Sequence, residues 1–275
     1  MFGLLTRRRV TALTLGIMAL LAAGQVEAQF RRSFGSTRIA TPEDFDSRFQ
    51  FCRLAFRSDG RGDGGDWSVD WPRADINLSI RLSELTKTDV SKRPGGDPNY
   101  LLVRATDETL FQCPFVMMTE VGSAYLDETE AERLRLYMLK GGFVWADDFW
   151  GDYAWEWWEV QLKKIFPASD YEVVELPHDH PLFRAQFDIK AGTPQIANIG
   201  HWARTGGGTS ERFDSEMVHT RAVLDQHGNI MLLMTHNTDL GDSFEREGDD
   251  PEYFYQMSVP GYAFGVNTLL YALTH

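Results

Sequence analysis

The chain has 275 residues, of which 43% are hydrophobic, so it is long enough to bury a substantial core. It contains 2 cysteines, which excludes the class of small secreted domains held together by many disulfides. Asp and Glu number 40 against 27 Lys and Arg, a formal net charge of -13. A surface of this charge repels polyanions, so we expect no nucleic-acid partner.

Residues 1–28 have the three parts of a secretory signal. A basic stretch at residues 7–9 precedes an uncharged apolar run at residues 11–23, and Val26 and Ala28 are small residues at the positions that a signal peptidase reads. The apolar run is shorter than the roughly 20 residues that span a bilayer, although a retained membrane anchor is the alternative. Consecutive arginines are also typical of the twin-arginine export route. We therefore expect cleavage after Ala28 and a periplasmic or secreted protein with no membrane span afterwards.

Residues 29–48 are polar and lack periodicity, which predicts a flexible lead-in, and residues 49–275 are predicted to form one α/β domain. Strands alternate with helices along that domain, which favours parallel βαβ units in a three-layer sandwich. Asp127 and Glu130 have the spacing of a capping box at the start of one helix. The predicted strands are 49–56, 100–103, 114–119, 143–146 and 171–176, with a hairpin at 221–225 and 230–235; helices are predicted after Pro72, after Asp127, over 154–165 and over 263–273.

The two cysteines belong to apolar parts of the predicted sheet. Cys52 lies within the first strand, and Cys113 directly precedes the strand that begins at Pro114. An oxidising compartment permits a disulfide, but cysteine is also among the residue types most often buried as a free thiol. We expect two buried thiols rather than a bridge.

Three stretches of the sequence resemble a known family when taken in order. They are GGFVWADD at 141–148, DHPLF at 179–183, and GVN at 265–267 with YALT at 271–274. These stretches resemble the bacterial family catalogued as domain of unknown function 4159, and the resemblance extends over residues 49–274. That family is similar to the class I glutamine amidotransferase-like fold, a flavodoxin-like three-layer sandwich that trehalose-utilisation-type proteins also share. The resemblance implies this fold and a mostly parallel sheet, and it implies no activity.

Amidotransferase chemistry needs a cysteine on a sharp strand-to-helix turn, activated by a histidine. Cys52 lies inside a predicted strand, and Cys113 comes before a strand rather than after one. Neither cysteine has glycines placed around it for such a turn. We therefore exclude glutamine amidotransfer.

The loop at residues 59–70 contains two incomplete motifs. Residues 60–65 match G-x-G-x-x-G, but no helix opens after Gly65 to hold a pyrophosphate, so dinucleotide binding is not expected. Residues 59–70 also have the outline of a calcium loop, with Arg61 at a position where a ligand should be. A solvated turn is the favoured interpretation.

His178 and His180 could bind a metal together with Asp147 or Asp148. The favoured alternative is that Asp179 or His180 caps a short helix that begins at Pro181. A metal site usually needs three converging ligands, which these residues do not establish. We therefore predict no metal and no cofactor.

The paired carboxylates Asp147 and Asp148 follow a buried strand directly. In open α/β sheets, ligands bind outside the carboxyl ends of the strands, so the pair is expected in that crevice. Two neighbouring acids can separate their pKa values or hold a cation, and the alternative is that one of them caps the next helix. The predicted ligand-binding residues are Thr119, Glu120, Trp145, Asp147, Asp148, Asp179, His180 and Asp239.

Tryptophans at positions 145, 150, 155, 157 and 158 lie close to this pair in the sequence. Aromatic faces beside carboxylates are a common arrangement for binding sugar rings, whereas Trp158 is more simply a core residue at helical spacing. The ligand would then be an unidentified small molecule or carbohydrate, and a protein of the cell envelope is the other class of partner.

Two functions from different classes follow. The missing nucleophile favours a non-catalytic ligand-binding or assembly module on an amidotransferase-like scaffold. The alternative is a carboxylate- or metal-dependent enzyme that acts on a carbohydrate or cell-envelope substrate.

Overall fold

A mostly parallel sheet of seven strands forms the centre of the protein. The computed structural model describes residues 38–167 and 171–275, so the predicted signal and its cleavage site lie outside the described residues. The strands are β1 (Phe51–Ala55), β2 (Arg57–Ser58), β3 (Tyr100–Arg104), β4 (Phe115–Thr119), β5 (Ala124–Tyr125), β6 (Phe143–Asp147), β7 (Val173–Glu175), β8 (His219–Leu224) and β9 (Ile230–His236).

The strand order in the main sheet is β3-β1-β4-β6-β9-β8-β7, and β2 pairs with β5 in a separate two-stranded ribbon. The first five strands of that order run parallel, β8 is antiparallel to β9, and β7 is antiparallel to β8. Every residue of β4 and of β6 is buried, as expected for parallel strands that are covered on both faces. The predicted α/β class with a mostly parallel sheet is confirmed.

Helices cover both faces of the sheet. The helices are α1 (Arg73–Leu85), α2 (Glu128–Leu139), α3 (Gly151–Ile165), α4 (Ile199–Thr205), α5 (Leu240–Glu245), α6 (Pro251–Tyr253) and α7 (Val259–Thr274).

Neighbouring residues of β6 and β9 show how the two faces are filled. The Trp145 ring packs against Phe264 of α7, with 5.9 Å between ring centroids. On the opposite face, Trp158 of α3 donates its indole N–H to the Met234 sulfur over 3.3 Å. Because successive side chains of a strand alternate between faces, this arrangement gives three layers.

The capping box predicted from Asp127 and Glu130 begins α2. The Glu130 amide donates to the Asp127 carboxylate over 3.0 Å, and the Asp127 amide donates to the Glu130 carboxylate over 2.9 Å. This reciprocal pairing satisfies backbone N–H groups that have no partner within the helix, which explains why the helix begins here.

The predicted hairpin forms as strands β8 and β9 of the main sheet. Strand β9 pairs in parallel with β6, with Trp145 opposite Leu233. Strands β8 and β7 then extend the sheet in antiparallel fashion beyond β9. The hairpin therefore contributes β9, one of the parallel strands that end at the carboxyl edge of the sheet.

The expectation of two free thiols was wrong. Cys52 and Cys113 form a disulfide with a Cα separation of 6.2 Å, within the range that a bridge requires. The reason is the pairing of β1 with β4, which places Cys52 opposite Val116. Adjacent strands are about 4.8 Å apart, so a cysteine just ahead of β4 comes within reach of Cys52.

The described end of the predicted lead-in packs against the domain. The Ala40 amide donates to the Leu102 carbonyl over 2.8 Å, and Pro42–Asp44 form a short 3-10 helix. Residues 39–275 make up one compact unit. None of the helices described here has the length and apolar composition needed to cross a bilayer.

Candidate functional site

Three neighbouring parallel strands are each followed directly by a non-glycine residue in the left-handed conformation. Glu120 follows β4 with φ 55°, Asp148 follows β6 with φ 57°, and Asn237 follows β9 with φ 65°. Left-handed backbone costs an ordinary residue roughly 1 kcal/mol, and residues with such strain cluster at functional sites. The carboxyl end of the sheet is therefore the part of the fold to examine for function.

Asp147 has a structural role at this edge. One carboxylate oxygen accepts a hydrogen bond from the Thr235 hydroxyl of β9, and the other accepts from the Gly241 amide of α5 over 3.1 Å. Burial raises the pKa of Asp147 to about 7, while these donors oppose that shift. The side chain thus ties β6 to β9 and α5.

Asp148, the next residue, has different hydrogen-bond partners from those of Asp147. Its Oδ1 accepts from the Trp150 indole N–H over 3.0 Å. Helix α3 begins at Gly151 with Trp150 as its N-cap and no side-chain capping bond, so Asp148 does not cap that helix. The interpretation of Asp148 as a helix cap is therefore wrong.

Asp239 and Asp70 meet Asp148 at this end of the sheet. Asp239 caps α5, because its Oδ1 accepts from the Asp242 amide over 2.7 Å. Asp70 lies just before α1, and its Oδ2 is buried with no hydrogen-bond partner among the described residues. The three carboxylates can each offer one oxygen such that all three oxygens lie within 4.8 Å of one another.

The electrostatic cost of this cluster appears in the pKa values of its members. Burial is the largest cause that raises the pKa of Asp148 well above its usual value, followed by the neighbouring charges of Glu120 and Asp70. Burial likewise raises the pKa of Asp239, with Asp148 the leading charged neighbour. A cation in this cluster would relieve both effects, because it stabilises the ionised carboxylates.

Arg53 of β1 is a buried cation whose charge acts on Asp70. It forms an ion pair with Asp75 of α1, and its Nη1 also donates to the Val69 carbonyl over 3.3 Å. Its charge lowers the pKa of Asp70, but burial and Asp242 raise that pKa more strongly. Arg53 is therefore largely committed to Asp75 and leaves Asp70 only partly compensated.

Thr119 and Glu120 lie on the same edge, as predicted. Thr119 pairs with Asp147 in the register of β4 and β6, and its hydroxyl is buried without a hydrogen-bond partner in the described parts of the chain. Burial raises the pKa of Glu120 to about 7. A side chain on Gly64, which has φ 119°, would start 2.1 Å from the Glu120 carboxylate, so only glycine fits there.

His180 and Asp179 do not join this group. The His180 Nδ1 accepts from the Leu182 amide over 3.2 Å, so it caps the short helix that starts at Pro181, as the favoured alternative had it. Its ring lies 5.5 Å from that of Tyr271, which in turn packs against Phe143 at the start of β6. His180 is thus near the amino end of β6, and Asp179 is exposed.

Trp145 is fully buried, so it offers no exposed ring face to a ligand. Its indole N–H donates to the Thr235 hydroxyl over 2.9 Å, which in turn donates to Asp147. Trp150 and Trp158 are also buried. A stack of tryptophan faces for a sugar ring is therefore not formed by these three residues.

The acids of the loop at residues 59–70 do not converge as a calcium loop requires. Asp59 pairs with Arg61 over 2.7 Å, and Asp63 pairs with Arg212 over 3.4 Å. Of Asp59, Asp63 and Asp70, only Asp70 lies in the buried cluster. The favoured interpretation of a solvated turn fits the first part of the loop. No local pattern predicted that Asp70 or Arg53 would lie at the acidic cluster.

Together, these features define a mixed α/β protein with a buried acidic site at the carboxyl ends of its parallel strands. The family model described as Domain of unknown function (DUF4159) matches residues 51–273. The chain therefore belongs to this family. A comparison with curated proteins finds no match.

Proposed function

We propose that the protein is an exported, non-catalytic ligand-binding module on an amidotransferase-like scaffold, and that its ligand is positively charged. The observation that carries this proposal is the meeting of three buried carboxylates from separate segments, Asp70, Asp148 and Asp239. Glu120 is next to Asp148, because Thr119 and Asp147 are partners in the register of β4 and β6. Buried like charges are costly unless a counter-charge joins them, so a site of this kind favours a cationic ligand over a neutral one.

The states of the two cysteines and of His236 support binding rather than catalysis. Cys52 and Cys113 are joined to each other, so neither is a free thiol. His236 is close to this end of β9, but its Nε2 is bonded to the Gly151 carbonyl over 3.0 Å and its Nδ1 to Arg221 over 3.2 Å. With both ring nitrogens engaged, His236 is not poised to activate a nucleophile.

Export is supported by the same disulfide. Structural disulfides persist in oxidising compartments and are rare in the reducing cytosol. The bridge agrees with the signal predicted at residues 1–28, and together they favour a periplasmic or secreted location.

The proposal is tested by thermal unfolding of the purified protein with four cationic probes. The probes are calcium chloride, spermidine, a glucosamine disaccharide and tetralysine, each measured against sodium chloride of equal ionic strength. At a hundred times the Kd, a ligand adds about 2.7 kcal/mol of stability, which corresponds to a Tm increase of roughly 5–10 °C in a protein of this size.

We expect at least one probe to raise the Tm of the wild type, and we expect Asp148→Asn to lose that response. Asparagine tolerates the left-handed backbone and keeps an acceptor for Trp150, so the variant removes charge with little other change. Asp179→Asn is the matched control, because Asp179 is an exposed acid outside the cluster. If no probe raises the Tm, or if Asp148→Asn responds as the wild type does, the proposal is wrong.

A carboxylate-dependent enzyme that acts on a carbohydrate or envelope substrate is the second candidate. It is favoured by the different environments of Glu120, which is half-buried, and Asp148, which is buried. Neighbouring carboxyls in unlike surroundings are how acid and base roles are divided in glycosidases. Release of reducing ends from envelope glycan, lost in Glu120→Gln, would support this candidate over the binding module.

A further inference from the structure

The carboxylates of Asp70, Asp148 and Asp239 form a triad of oxygen donors from three different segments. One oxygen of each lies within 4.8 Å of those of the other two. The three residues are 8%, 4% and 3% exposed, so water reaches them poorly. Three buried acids at this separation repel one another strongly unless a cation or protons intervene.

An independent observation also points to a ligand at this position. The Oδ2 of Asp70 is buried and accepts no hydrogen bond from any residue that the structure describes. It lies against Gly241, where even a methyl group would come within 2.2 Å of it. Leaving a buried carboxylate oxygen without a partner costs several kcal/mol, so this atom is expected to have one that the protein itself does not supply.

A second acidic triad shares Asp70, but its other members already have partners. The Asp242 carboxylate accepts from the Ile199 amide over 2.6 Å and from the Tyr253 hydroxyl over 3.2 Å. Glu245 forms an ion pair with Arg246 over 2.7 Å. Both oxygens of Asp242 are thus engaged, since Arg246 pairs with the other one, whereas Asp148 and Asp239 each accept a hydrogen bond on Oδ1. A cation is therefore favoured at the first triad.

We propose that Asp70, Asp148 and Asp239 bind one hard divalent cation, with calcium preferred over magnesium and zinc. All three donors are carboxylate oxygens, which suit hard cations, whereas zinc prefers nitrogen and sulfur. Calcium accepts irregular sets of protein oxygens, whereas magnesium demands octahedral geometry and retains several waters. The assignment rests on the proposed binding function, because it names the ligand of the same site.

The position of the triad makes the ion a link between strands. Asp70 follows β1, Asp148 follows β6 and Asp239 follows β9, so one cation would join three connections at the carboxyl end of the sheet. Glu120 lies beside Asp148 and is half-buried. A further ligand could therefore approach the ion from the side of Glu120.

The test is calcium binding to the chelator-treated full-length protein, measured by isothermal titration calorimetry and by thermal unfolding. We expect one calcium ion per chain in the wild type and an increase in Tm on addition of calcium chloride. Asp70→Asn and Asp239→Asn should each weaken binding at least tenfold, while Asn retains an acceptor for the α5 amide at position 239. Glu245→Gln, in the second triad, should bind calcium as the wild type does.

The outcomes separate this inference from the proposed function. If calcium, magnesium and manganese produce neither heat nor a Tm increase in the wild type while spermidine or tetralysine does, the metal assignment is overturned and cationic ligand binding stands. If none of these probes acts, both proposals fail. If Glu245→Gln weakens calcium binding as much as Asp239→Asn, the ion belongs to the second triad and the assignment made here is wrong. Because the wild-type titration does not depend on any variant, poor folding of a variant cannot leave the question open.

Discussion

Removal of the Cys52–Cys113 bridge is expected to destabilise the protein substantially. The two cysteines are 61 residues apart in sequence, so the bridge closes a long loop in the unfolded chain. For a loop of this length, the chain-entropy relation gives about 4 kcal/mol of stabilisation at 25 °C. Both cysteines are buried, so the folded state can relax little to compensate for the loss of the bridge.

Urea unfolding measures this effect in four samples: the wild type and the double variant Cys52→Ala/Cys113→Ala, each with and without dithiothreitol. The oxidised wild type should exceed the other three by about 4 kcal/mol in free energy of unfolding, and dithiothreitol should leave the double variant unchanged. Alkylation before reduction, followed by mass spectrometry, reports whether the thiols are free. The reasoning would be refuted if both cysteines of the exported protein were alkylated, or if complete reduction left the urea midpoint unchanged.

Two further predictions concern export and pH. Mass spectrometry of the exported protein should show a mature chain that begins at Gln29, and a chain that retains Met1 would contradict the predicted signal. Burial lowers the pKa of His236 from 6.5 to about 4, so the neutral ring stabilises the fold at pH 7 and that contribution is lost as the pH falls from about 6.5 towards 4. His236→Gln keeps a donor for the Gly151 carbonyl. Urea unfolding should show that this variant loses less stability than the wild type between pH 7 and pH 4.5, by up to roughly 3 kcal/mol. Identical losses in the two proteins would contradict the assignment.

The main strands could be predicted because each leaves a strong local pattern. The runs that became β4 and β6 are apolar throughout, which is typical of strands buried on both faces. The residues directly after such strands must lie at the carboxyl edge of the sheet, so Glu120 and Asp148 could be placed together without knowledge of the strand order.

The same rule did not place His180, which follows β7 at some distance. After Leu176 the chain turns towards the amino end of the sheet, and His180 reaches Tyr271 instead of the acidic cluster. The rule holds for residues that follow a strand directly, whereas a few intervening residues are enough to carry a side chain to the other end of a strand.

Residues that depend on contacts distant in sequence were missed. Asp70 lies at the end of a polar loop in which Asp59 and Asp63 pair with arginines, and nothing local distinguishes Asp70 from those two acids. The disulfide was missed for the same reason, since the adjacency of β1 and β4 is a property of the whole sheet. A pattern along the chain reports burial, but it does not report which strands are neighbours.

The strand order explains how an acidic site arises from residues so far apart. Strands β1, β4, β6 and β9 are consecutive neighbours in the sheet, and the connection after each one supplies a single acid: Asp70, Glu120, Asp148 and Asp239. Asp147 is excluded from this set although it adjoins Asp148, because it is still within β6 and its oxygens are taken by Thr235 and Gly241. The left-handed turn at Asp148 begins where that strand ends. The site is therefore defined by one acid per strand rather than by the paired acids that the sequence makes conspicuous, and substitution of Asp147 should disturb the fold whereas substitution of Asp148 should disturb the ligand.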